Sequence, residues 1–62
     1  MTKFTLRFPS ILELLDFQTK TKTYGVDIDY GRLTMTGFFE DADVELAKEG
    51  FQAVVIEEHV NG

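Results

Sequence analysis

Phe4, Leu6 and Phe8 repeat at a period of two, and only Pro9 and Ser10 separate them from Ile11, Leu14 and Leu15, which repeat at helical spacing. Alternation places side chains on one face of a strand, whereas the three-and-four spacing lines one stripe of a helix, so the chain must pass from sheet to helix within two residues. Pro9 ends strand pairing. Ser10 stands three residues before Glu13, the spacing at which each side chain satisfies the other's free backbone donor, so a helix is expected from Ile11, flanked by Leu12 and Phe17 and solvated at Glu13 and Asp16. The polar stretch from Thr19 to Thr23 is expected to be a loop or the frayed start of a strand.

Alternation returns in Tyr24, Val26 and Ile28 and again in Leu33 and Met35, around Tyr30 and Gly31. A hairpin with a two-residue loop sets Ile28 opposite Leu33, Val26 opposite Met35, Asp29 opposite Arg32 and Asp27 opposite Thr34. A second helix is expected over Val44 to Glu49, with Asp43 as its cap and Gly50 as a left-handed stop, because an earlier start would bring Asp43 into the apolar arc of Val44, Leu46 and Ala47. Ala53 to Ile56, bounded by Gln52, Glu57 and Glu58, is a β-branched run that closes the set as a strand.

Strand, helix, strand, strand, helix, strand is the ferredoxin-like βαββαβ order, an α+β fold with a four-stranded antiparallel sheet of order 4-1-3-2 and both helices on one face. A chain of 62 residues holds one such domain, residues 1–62, and without a single cysteine its core must stand unaided by disulfides.

Val26 to Met35 and Lys48 to Ala53, with Leu6 to Pro9 at the end of the first strand, resemble the hairpin, the Gly-aromatic helix exit and the first-strand end of heavy-metal-associated domains, the modules of copper chaperones and metal-pumping ATPases. The resemblance implies the same element order. That family carries a Cys-x-x-Cys loop after its first strand, where this chain runs straight from Pro9 to Ser10, so the soft-metal function carries over at no residue; thiolates are what select Cu(I) in such sites.

Chemistry is sparse elsewhere. His59, the only histidine, follows Glu57 and Glu58 and reads as a solvated tail beside Asn61 and Gly62. Asp27, Asp29 and Gly31 lack the remaining positions of a calcium loop and fit outward strand positions. Glu40, Asp41, Asp43 and Glu45 suit the positive end of a helix. No Ser-His-acid set assembles, so an enzyme is not expected, and neither a cofactor nor a metal is. Eleven acids against six bases give a net charge of −5, which repels phosphate, and the outward residues of the central strands, Lys3, Thr5, Arg7, Arg32, Thr34, Thr36 and Phe38, supply one aromatic for stacking. Nucleic acid and membrane partners are not expected, and the alternating N-terminal stretch points to a cytoplasmic protein.

What a simple monomer leaves unexplained is the last strand. If Phe51, Ala53 and Val55 face the helices, Val54 and Ile56 lie on the open side, near Phe38, at a sheet edge. Phe38, Val54 and Ile56 are therefore the candidate interaction residues of a protein-binding or self-associating module, a homodimer through the fourth strand or the open sheet face. The alternative is a small-ligand or metal carrier of metallochaperone-like fold that uses oxygen ligands.

Overall fold

The computed structural model describes residues 2–60; Met1, Asn61 and Gly62, at the ends of the expected domain, lie outside the described residues. Its elements are β1 (Thr2–Arg7), α1 (Ile11–Thr21), β2 (Asp27–Asp29), β3 (Thr34–Phe38), α2 (Asp41–Gly50) and β4 (Val54–Val60). They form one antiparallel sheet in the order β2-β3-β1-β4, which is the ferredoxin-like arrangement with β1 and β3 central and β2 and β4 at the edges.

The inward alternation of β1 builds the core. Phe4, Leu6 and Phe8 are buried together with Met35 of β3, Leu14 and Phe17 of α1, and Val44 and Ala47 of α2, so both helices cover the same sheet face. Phe17 lies at the centre of this layer, with ring centroids 5.3 Å from Phe8, 6.1 Å from Phe39 and 5.6 Å from Phe51. Tilted and edge-on pairs of this kind add to the energy of area burial.

At the start of α1, Ser10 is the N-cap: its hydroxyl oxygen accepts from the Glu13 N–H at 3.5 Å and its hydroxyl bonds the Glu13 carboxylate. The rest of α1 differs from expectation in two ways. Its buried stripe is Leu14 and Phe17, while Ile11, Leu12 and Leu15 remain exposed, because Phe17 rather than Leu15 meets the other rings. The helix also continues through Thr19 to Thr21, where the Thr21 hydroxyl donates to the Phe17 carbonyl at 2.8 Å, and it ends at Lys22 in the left-handed region, whose N–H donates to the Gln18 carbonyl.

The hairpin is wider than a two-residue loop. Ile28 opposes Met35, Asp27 opposes Thr36 and Asp29 opposes Thr34, so the register is shifted by two residues and Arg32 and Leu33 leave β3 for the turn. Asp29 is responsible: its Oδ1 accepts from the N–H groups of Gly31 (3.0 Å) and Arg32 (3.1 Å), closing the turn over four residues, with Leu33 at φ 59°. The Leu33 carbonyl in turn accepts from the Phe8 N–H at 2.8 Å and ties the turn to the end of β1. A shift of two keeps every side chain on its expected face.

Helix α2 begins earlier than expected, and Asp43 is not its cap. Glu40 occupies the N-cap position without a side-chain bond, and its carbonyl accepts from the N–H groups of Asp43 and Val44 at 3.0 and 3.1 Å. The conflict over the apolar arc dissolves because Leu46 is exposed and the buried face is Val44, Ala47 and the following Phe51. Gly50 stays helical; the left-handed residue is Gln52, at φ 57°, two positions later, because the chain must first deliver Phe51 to Phe17. Strand β4 likewise runs past its expected end, through Glu57 and Glu58 to Val60.

Two stability measurements check this account. Ser10→Ala should cost about 0.5–2 kcal/mol in denaturant melts and exceed the cost of Asp43→Ala, whose carboxylate contributes only through the helix dipole. Gly37 faces inward opposite Phe4, and a Cβ there would collide with the Val26 side chain, so Gly37→Ala should destabilise by about 1–3 kcal/mol although a strand normally favours Ala over Gly.

Candidate interaction surface

Four strands leave one sheet face uncovered, and its side chains follow from the pairings. The middle row runs Glu57, Thr5, Thr36, Asp27, with the two threonine hydroxyls 3.0 Å apart. The row toward the hairpin turn is Val54, Arg7, Thr34, Asp29, and the row at the opposite end is His59, Lys3, Phe38. The face is thus polar at its centre, basic along β1 and acidic along both edges.

A β-bulge shapes the β4 edge. Leu6 pairs with Val55 but Thr5 pairs with Glu57, so Ile56 is the extra residue and the face assignment of β4 resets after it. Before the bulge Val54 points outward and Val55 is half-buried against the core; after it Glu57 and His59 share the open face. His59 therefore sits in a strand rather than in a tail. Its Nε2 lies 2.6 Å from Glu57 Oε2, with both side chains more than half exposed.

Of the three candidate residues the structure brings two together. Val54 and Ile56 are 58% and 46% exposed and, with Arg7 and Pro9, line a cleft at one end of β4. Phe38, 49% exposed, is not near them: it opposes Lys3 whereas Val54 opposes Arg7, four residues along β1 and so roughly 13 Å away at about 3.3 Å per residue. The separation follows from register, since β3 and β4 meet β1 four residues apart at these positions, which alternation along each strand does not reveal.

Ile11, Leu12 and Leu15 are further exposed apolar residues that the sequence reading placed in or beside the buried stripe. Their spacing alone is compatible with burial, and the signal that could have exposed them is the competition from Phe17, the larger side chain of the same helix. Arg7 has no carboxylate within 4.0 Å among the described residues, while Arg32 Nε lies 3.9 Å from Asp29 Oδ2. No three His, Cys, Asp or Glu side chains converge as a metal site among the described residues, and no helix among them is long and apolar enough to cross a membrane. Comparison of the chain with protein-family models, with curated proteins and with solved structures finds no match.

Proposed function

We propose that this chain is a non-catalytic interaction module that associates with a second copy of itself through the free edge of β4. The observation that carries the reading is the exposure of Val54 and Ile56 on a seven-residue strand paired on one side only. An edge of this length presents unpaired backbone donors and acceptors, and a second strand satisfies them while covering the two side chains. The open face, the other expected route, has Thr5, Thr36 and the edge carboxylates at its centre, so packing two such faces would bury polar groups and like charges. The carrier reading lacks a comparable feature, since its oxygen ligands would have to converge and Asp27 and Asp29 instead stand exposed along a short strand.

Magnitudes set the strength of the association. Burying a whole Val or Ile side chain is worth about 1.5–3 kcal/mol, so four half-exposed ones supply roughly 3–6 kcal/mol. Association costs at least about 4 kcal/mol in lost freedom, which leaves a weak dimer in the micromolar-to-millimolar range once the ladder bonds are added.

Light scattering or sedimentation equilibrium over that range checks the reading. The wild type should shift from monomer toward dimer as concentration rises, and Val54→Lys with Ile56→Lys should remain monomeric with its circular dichroism unchanged, because neither side chain belongs to the core. A wild type that stays monomeric at millimolar concentration contradicts self-association.

A further inference from the structure

We infer that the two copies meet about a two-fold axis through Val55, in a register that sets Val54 of each beside Glu57 of the other and pairs Arg7 of each with that same Glu57. The inference rests on the proposed edge association and adds its register and its recognition chemistry.

The bulge makes the register specific. Because Val55 and Glu57 oppose the consecutive residues Leu6 and Thr5, they occupy successive steps of the ladder, with Ile56 as the extra residue between them. Antiparallel pairing centred on Val55 therefore places the step after it, Glu57, opposite the step before it in the second copy, Val54. All side chains in that row agree in direction: Val54 and Arg7 are neighbours on the open face of one copy, and Glu57 is on the open face of the other. A two-fold axis perpendicular to the sheet puts both open faces on the same side, so the row reads Arg7, Val54, Glu57 and the copy's Thr5.

Registers centred on the acids of β4 fail on charge, and one centred on Val54, the first residue of the strand, leaves the rest of β4 without a strand to pair with. Centring on Glu57 sets the two Glu57 carboxylates against each other, and centring on Glu58 does the same for Glu58. Centring on Val55 opposes no like charges. It also joins Arg7, the β1 cation beside the apolar start of β4 and without a carboxylate within 4.0 Å among the described residues, to the acid nearest the bulge. Arg7 and Glu57 of different copies then lie two strands apart, about 10 Å between Cα atoms at roughly 4.8 Å per strand, within the combined reach of an arginine and a glutamate passing over Val54. The apolar centre is thereby closed by an ion pair at each end, and the complementarity selects a second copy over an arbitrary extended peptide.

The test is a charge exchange read by sedimentation equilibrium at low ionic strength. Arg7→Glu and Glu57→Arg should each raise the dimer dissociation constant by about tenfold or more, since each replaces two symmetric attractions by repulsions, and the double variant should return to within a few-fold of the wild type. Thermal melts of the four proteins at a concentration where all are monomeric separate any loss of folding from loss of association, and Glu57→Gln, which removes charge alone, should give an intermediate weakening. A wild-type dimer that either single reversal leaves unchanged, or that the double variant fails to restore, overturns the register while the edge association stands. A wild type with no dimer at all overturns both.

Discussion

The ring of Phe17 touches three phenylalanines that stand immediately beyond the ends of three elements: Phe8 after β1, Phe39 after β3 and Phe51 after α2. Each of those elements ends where the chain delivers its ring to the same place, so one aromatic cluster closes both ends of the helical layer over the sheet. In a chain of this length without disulfides the cluster is a large share of the total stability: truncating a buried Phe costs about 3–5 kcal/mol, against about 5–15 kcal/mol for a whole domain. It also explains the local departures in α2. The helix holds its form through Gly50 to position Phe51, and Gln52 accepts a left-handed backbone immediately afterwards.

Besides the exposed Ile11, Leu12 and Leu15 of α1 and Leu46 of α2, what the fold offers a partner is the open face and the two edges. Edge β2 is three residues long and its turn is held by Asp29, whereas edge β4 is seven residues long and carries Val54 and Ile56 outward. The bulge at Ile56 bends β4 and interrupts its alternation, which divides the edge into an apolar start and a charged continuation. Such a division leaves a short apolar segment, Val54 to Ile56, that lies beside Arg7 of β1 and is followed by Glu57 and Glu58, the arrangement on which the proposed pairing rests.

Much of the fold was legible because period and capping act locally. The alternation of Phe4, Leu6 and Phe8 and the Ser10–Glu13 pair located β1 and the start of α1, and the element order led to the sheet order. What was not legible depends on contacts distant in sequence. Nothing in the local pattern says that Phe17 rather than Leu15 is buried, or that Asp29 will close a four-residue turn and shift the hairpin by two; nor does it say that Asp43 can sit within the first turn of α2 once Leu46 is released to solvent. At the candidate surface the exposure of Val54 and Ile56 was recoverable from parity, but their separation from Phe38 was not, because it is set by the registers of β3 and β4 on β1, which no local pattern gives.

On the proposed function the β4 edge is open in the monomer and paired in the working form. Amide hydrogen exchange along the chain, followed by NMR from micromolar to millimolar concentration, addresses it at the residues concerned. The account predicts that the β4 amides left unpaired by β1, from Val54 to Glu57, gain protection as concentration rises while those of β2 do not change. Exchange along β4 that is independent of concentration, or protection that instead appears at Ile11, Leu12 and Leu15, would contradict it.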